Sequence, residues 1–424
     1  MTNLSAVAEA LLPSGLEDVE LYLKEGRSRR AALGPEGRLV SLHHEQGWAI
    51  RASGDQSSLF CCGSGEPKIG PWPRPDGFPV KLPSPRPVAD WREPAELRSP
   101  LTVEHEALEI LEACGKELAR ELPEARLLRA SLEDGESHGQ IENTRGVEEG
   151  VRQRTATLFL EAALGTEAVT ELVGARNARG FAPRALARRL ADRLLIRRDG
   201  RAAERDRGVL LLAPPVAVRI LGALLPVLLG GRDRAVGLAV SDGRIGSPLL
   251  TVIDDGRLPE GLFAAPVDGE GMPTGRTVLI EGGELRSALG ATADAKTGRG
   301  WGCVRRESYR DVPAIGPSHL FIDPNRQQPA GALLADLARG YYLLEAQNAG
   351  SFDLESGRFE LVVGGFAVRG GRPTGATTRA RLRGSMRRLL GGIQGVARDL
   401  TFVPLAGHLG SPTLLVEGLE IDGA

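Results

Sequence analysis

Between Leu249 and Asn325 the chain repeats one pattern, a short apolar run followed by a turn built from glycine and acids. LLTVIDDG, APVDGEG, RTVLIEGGEL and FIDPN all follow it. Short apolar runs bounded by Gly, Asp and Pro make strands and leave no room for long helices here. Glu281-Gly-Gly-Glu284 spells a two-residue hairpin loop, because two glycines supply positive φ at both central positions. A chain with 55 glycines among 424 residues can afford many such turns.

The same reading extends over the whole chain and gives an α+β fold. Asp18–Leu23 and the alternating GRLVSLHHEQGWAIRAS are antiparallel strands. Residues 63–100 are too rich in Pro and Gly for sheet or helix and read as a linker or extended surface loop. Apolar residues at 108, 110, 111, 114, 118 and 122 have helical spacing, and Phe181–Ile196 is a second, arginine-rich helix. Ala125–Leu132 and Gln153–Ala163 read as strands flanking an acidic loop. Val209–Ala213 reads as a buried strand ended by Pro214–Pro215, with a buried helix over Val216–Leu229. From about Ala235 the pattern is β-rich, with helical breaks at Ala330–Arg339 and Ala380–Val396. The expected domains are an N-terminal mixed α/β region, 1–205, and a C-terminal domain of mostly antiparallel strands, 206–424.

Composition narrows function. The formal net charge of −2 gives no overall drive towards nucleic acid or anionic membrane. The four cysteines have no CxxC spacing, and the N-terminus lacks the basic start of a signal peptide. The expectation is a cytoplasmic protein without a structural zinc site. Val209–Gly230 has the length of a membrane span, but Pro214–Pro215 and Arg219 interrupt it.

Several residues bear on chemistry. Asp254–Asp255 and Asp268-Gly-Glu270 are candidate acid–base groups or metal ligands, weighed against turn chemistry in which Asp caps backbone amides. Gly135-Glu-Ser137-His-Gly139 is a literal GxSxG, but loop-like residues follow it where a serine hydrolase needs a helix. The six histidines form no HExxH or HExxxH and are expected in surface loops. Two arginine clusters, 184–198 and 379–388, lack interleaved aromatics. They read as solvated helix faces or a partner interface in preference to phosphate sites, so nucleic acid is an unfavoured partner.

The order of these motifs resembles the TldD/PmbA family, named as modulators of DNA gyrase and similar to metallopeptidases. The resemblance is carried by Ile253–Pro259, Val267–Gly271, Pro273–Thr277, Leu279–Gly283, Arg306–Pro313, Gly340–Asn348, Gly364–Phe366 and Gly410–Val416, with Ile141–Gly146 in the N-terminal half. In TldD-type members it implies HExxxH on the helix after the VLL-type strand and a cysteine ligand near the C-terminus. Here Val216–Leu229 holds no His, Glu or Asp, and no Cys follows Cys303. The resemblance therefore implies the PmbA/TldE branch: no catalytic or metal residue in this chain, zinc only in a TldD-like partner, and a peptide substrate. The partner is a TldD-like subunit or a second copy of the chain. Asp254, Asp255, Asp268, Glu270, Arg276, Arg306 and Asn348 are the expected peptide or interface contacts. The rival readings are a self-sufficient peptidase with an unrecognised site and a DNA- or gyrase-associated modulator.

Overall fold

The computed structural model describes residues 3–230, 244–290, 302–325, 328–353, 355–404 and 408–423. Residues 235–243 and 291–301, over which the β-rich reading also ran, lie outside the described residues.

The N-terminal half is one long antiparallel sheet. Its strands are β1 (Asp18–Gly34), β2 (Gly37–Ser53), β3 (Ser58–Ser64), β4 (Arg126–Asn143), β5 (Glu148–Leu164) and β6 (Glu167–Ala175), in the order β3-β2-β1-β4-β5-β6. The expected acidic loop does not exist. Both flanking strands run on through it, and Asn143-Thr-Arg-Gly146 is the turn between them. Asn143 Oδ1 accepts from Arg145 N and Val147 N, and Gly146 has φ +96°, which closes a tight turn. Strand alternation divides the sheet into two faces. One packs helices: α1 (Leu4–Leu11) at one end, and α2 (Glu104–Glu121) with α3 (Pro183–Asp199) at the other. Leu111, Leu118, Leu190 and Leu194 bury against Leu132, Leu158 and Leu160 there. Residues 63–100 hold almost no regular structure, as their composition requires.

The C-terminal half holds two larger sheets and one of two strands. β7 (Val209–Leu212) leads through Pro214–Pro215 into α4 (Pro214–Ala223) and α5 (Leu225–Gly230). The pair β8 (Val252–Asp255) and β9 (Arg276–Glu281) continues into the short β10 (Glu284–Leu285). Gly282 and Gly283, at φ +55° and +81°, form the expected hairpin loop. β11 (Val304–Arg305) pairs β12 (Ala314–Ile315), and β13 (His319–Ile322) follows. After α6 (Ala330–Asp336) come β14 (Arg339–Ala346), β15 (Ser351–Asp353), β16 (Arg358–Arg369), β17 (Arg372–Ser385) and α7 (Met386–Gly391). β18 (Ile393–Val396), β19 (Thr401–Pro404), β20 (His408–Ser411), β21 (Leu414–Glu417) and β22 (Glu420–Gly423) close the chain. One sheet orders as β10-β9-β8-β13-β20-β19, the other as β18-β21-β7-β14-β16-β17-β22 with β15 on β16. Pairing is antiparallel except β13 with β20 and β14 with β7. The expected helix over 380–396 is mostly strand. Arg381 and Arg383 alternate with the buried Ala380 and Leu382 along β17, and only Met386–Gly391 is helical.

α4 lies inside the core between the two C-terminal sheets. Val216, Ala217, Val218, Ile220 and Leu221 are all buried among Leu210, Leu212, Leu320, Leu343 and Leu409. Among the described residues, no helix is long and apolar enough to cross a membrane.

Candidate functional site

The sheet face opposite α2 and α3 is floored by very small residues. Along β1 and β4 that face carries Gly26, Ser28, Gly135, Ser137 and Gly139, with Gly26 paired to Ser137 and Ser28 to Gly135. A Cβ at Gly26 or Gly135 would meet the opposite serine at 3.3 or 3.1 Å, so each glycine keeps the floor shallow. Over the floor stands an open cleft of about 830 Å³, edged by His43, Glu45, Tyr309 and Arg310. The cleft leads into a deeper cavity of about 290 Å³, and Lys24, Ser137, Gln153 and Thr155 line both. The roof of the cavity comes from the C-terminal half: Phe263, Asp268, Thr274, Arg305, Arg306 and Ser318.

Ser137 thus sits in the middle of a strand and not on a turn into a helix. The GxSxG spacing here makes a flat floor and no nucleophile elbow.

The acidic turns behave as turn chemistry. Asp268 Oδ1 accepts from Glu270 N at 2.9 Å and Met272 N at 3.0 Å, while Oδ2 accepts from Val304 N at 3.1 Å. Asp255 Oδ1 accepts from Arg257 N, and Asp254 Oδ1 from Ser318 N, each at 2.9 Å. Burial pushes both Asp254 and Asp268 up to about 7, against the backbone amides that favour their anions.

Glu270 and Arg306 belong to a buried ion network joining the two halves. Arg51 Nη2 lies 2.8 Å from Glu20 Oε2 and 2.6 Å from Glu270 Oε1, and Arg306 Nη2 donates to Glu20 Oε1. Arg306 also stacks on Tyr22, its guanidinium carbon 4.4 Å from the ring centre. Of the remaining candidates, Arg276 is exposed at the start of β9. Asn348 follows β14 in the other C-terminal sheet and accepts from Val362 N at 3.0 Å. Of the seven candidates, only Asp268 and Arg306 line the cavity.

Two histidines expected at the surface are buried. His319 and His408 pair across β13 and β20 with ring centres 5.6 Å apart. Both nitrogens of His319 are spent on backbone: Nδ1 donates to Asp255 O at 2.7 Å and Nε2 accepts from Phe263 N at 3.0 Å. Burial lowers His319 to about 3 and His408 to about 4, so both are neutral.

The donor set does not fit a zinc ion. α4 presents only apolar side chains to the core, His319 has no free nitrogen, and Cys303 Sγ donates to Gly290 O at 2.8 Å. Among the described residues, no group of three His, Cys, Asp or Glu is placed to hold a metal.

These titrations oppose one another. Asp254 and Asp268, raised from 3.8 to about 7, add stability fully present below about pH 3.8 and lost as pH rises through about 7. His319 and His408, lowered from 6.5, add stability present above 6.5 and lost as pH falls towards 4 and 3. The two effects offset one another between about pH 4 and 6.5. Asp254→Asn removes one carboxyl from that balance, so thermal melts from pH 4 to 8 should show the variant gaining on the wild type as pH rises. An unchanged difference across that range would contradict the neutral, buried state of Asp254.

The arginine clusters are largely spent within the chain. Arg193 and Arg197 reach the buried Glu345 of β14, at 2.9 and 3.1 Å, and Arg383 pairs with Glu360 and Asp422. On α3 the exposed Arg184, Arg188, Arg189 and Arg198 form the expected solvated face, whereas Arg379, Arg381 and Arg383 lie on β17 and not on a helix.

Residues 209–423, half of the chain, match the family model described as the PmbA/TldA metallopeptidase C-terminal domain. A metalloprotease of Archaeoglobus fulgidus is 29% identical over 194 residues, 42% of this chain and 44% of that protein. A TldD metalloprotease homolog of Haemophilus influenzae is 31% identical over 127 residues, 28% of this chain and 25% of its own length. The chain thus spans less than half the length of these curated relatives. Among solved structures, TldE from Thermococcus kodakarensis superposes with a TM-score of 0.86 at 18% identity, covering 99% of both chains. A Thermotoga maritima protein, provisionally titled a modulator of a DNA gyrase, gives 0.81 at 17% identity over 98% of both. At such identities these likenesses establish the fold. With its C-terminal half matched to the family model, the chain belongs to the PmbA/TldD family of peptidase-like proteins.

Proposed function

We propose that this chain is a TldE-like, metal-free subunit that pairs with a TldD-like, zinc-bearing partner and presents extended peptides to it. The observation that carries this reading is α4. In the TldD pattern the corresponding helix supplies the metal motif; here its core-facing side chains are apolar, and its one charged residue, Arg219, is a cation that cannot ligate a metal. The floor of Gly26, Ser28, Gly135, Ser137 and Gly139 supports the peptide part, because small residues let a second backbone come close. In this reading residues 1–205 supply the floor of the cleft and 206–424 its roof. The four free cysteines are in keeping with a reducing cytoplasm.

The test is metal analysis and a peptidase assay on the purified chain, alone and mixed with a TldD homolog. The expected result is no stoichiometric zinc and no turnover alone, with turnover in the mixture that exceeds the homolog by itself. Stoichiometric zinc with activity in the lone chain would overturn the proposal. Native mass measurement of the lone chain then separates a homodimer from a monomer waiting for its partner.

One observation favours the self-sufficient peptidase. Carboxyls at about 7 are poised for acid–base work. Asp268, however, spends its two oxygens on three backbone amides, which leaves little capacity to act on a substrate. A role at DNA is disfavoured because both arginine clusters are largely paired with acids of the same chain.

A further inference from the structure

The cavity between floor and roof is lined by three cations, and two of them are occupied. Arg306 is held by Glu20. Lys24 donates to Glu307 O and lies 3.9 Å from Glu45. Arg305 differs. Its guanidinium lies over the ring of Phe263, 4.7 Å from the centre, in the wall of the cavity. Among the described residues it has no ion-pair or hydrogen-bond partner. The nearby acids do not reach it. Glu307, which is exposed and also lines the cavity, and Asp254 and Asp268, which accept from backbone amides, act on it only through space. Thr274 Oγ1 is also occupied, donating to Ala265 O.

A guanidinium keeps its charge under all ordinary conditions and has no acceptor capacity. Arg305 is half-buried, and a carboxylate arriving at its unpaired fork would gain charge-assisted hydrogen bonds. Stacking on Phe263 fixes the plane of the fork, so little entropy is lost when it binds. The cavity has Arg305 in its wall and adjoins the long cleft through the shared residues Ser137, Gln153 and Thr155. At about 290 Å³ it has room for a terminal residue of a peptide.

We propose that Arg305 is the anchor for a ligand carboxylate, and that peptides enter this cavity C-terminus first with the rest of the chain along the glycine–serine floor. The proposal rests on the peptide-binding reading and names the group that the site recognises. An acidic side chain near the end of a peptide offers the same chemistry.

The test uses the full chain and a fluorescently labelled, unstructured heptapeptide free of acidic residues. Three forms are compared by anisotropy: free C-terminal acid, C-terminal amide, and the amide carrying one glutamate. The wild type should bind the free acid at least about tenfold more tightly than the plain amide, the range of a charge-assisted pair. Arg305→Gln should bring that preference below about twofold, and Arg305→Lys should retain part of it. Recovery of affinity by the glutamate peptide would show that a side-chain carboxylate serves equally; its failure to recover would restrict the site to chain ends. Equal binding of acid and amide by the wild type, or an undiminished preference in Arg305→Gln, would overturn the proposal and leave peptide binding standing. No binding of any form would bring down the peptide reading and this inference with it. The wild-type comparison needs no variant, so a folding defect in either substitution does not blunt it.

Discussion

Replacing Glu20 by alanine should lower the stability of the folded chain by about 3–5 kcal/mol at neutral pH, measured by urea unfolding. Glu20 is 1% exposed and serves two guanidiniums at once, Arg51 from β2 and Arg306 from beyond β11. Without it Arg306 keeps no carboxylate among the described residues, where its Nε and Nη1 already lack hydrogen-bond partners. Arg51 keeps Glu270. The cost is that of an orphaned buried charge and exceeds what the pair contributes over an apolar filling of the same space. Two controls follow. Glu20→Ala with Arg306→Ala should cost less than the sum of the single substitutions, because the second removes the charge that the first leaves bare. Acidification should narrow the gap. Burial raises the Glu20 carboxyl, but Arg306 and Arg51 outweigh burial and hold it below 4.5. Its contribution is thus present above about 4.5 and lost as pH falls through the lowered value, and the variant has none to lose. Additive single effects would show that the network does not act as a unit.

Asp134→Ala should be comparably damaging, by about 3–5 kcal/mol. Asp134 and Arg154 are both fully buried on the helix-packed face of the first sheet. Their Oδ1 and Nη1 lie 2.8 Å apart as an ion contact, and Arg154 Nη2 donates to Oδ2 at 2.9 Å. Asp134 Oδ2 also accepts from the backbone N of Thr102 at 2.7 Å and from its hydroxyl. The substitution therefore strands Arg154 and unfastens the end of the Pro-rich stretch where it enters α2. Limited proteolysis should show new cleavage near residues 95–103, together with the lower unfolding midpoint. A lower midpoint without new cleavage would mean that Asp134 supports the sheet alone.

These two sites show where sequence reading stops. Asp134 and Glu136 look like a loop because charged residues usually avoid sheet interiors, yet β4 carries both. Asp134 is neutralised by an arginine on the neighbouring strand, and Glu136 faces Arg27. Period-two alternation cannot be seen when one face is polar for reasons of pairing. The same logic hid Ser137, read as a loop residue and found mid-strand. It hid His319 and His408 as well, because their burial depends on β13 and β20 lying side by side.

The sequence by itself determined the local geometry. Glycines requiring positive φ placed the turns, Pro214–Pro215 opened a helix, and apolar periodicity set α2, α3 and α4. It also settled that α4 carries no metal-binding side chain, which is a matter of residue identity. Only the tertiary structure decided which charges meet. Glu20 and Arg306 are separated by most of the chain, and no spacing rule links them. It likewise placed Arg305 over Phe263 at the end of a cleft floored by glycine and serine. Turns and helices follow from forces within a few residues. Ion pairs, buried histidines and cavities depend on packing between segments, and packing assigns their partners.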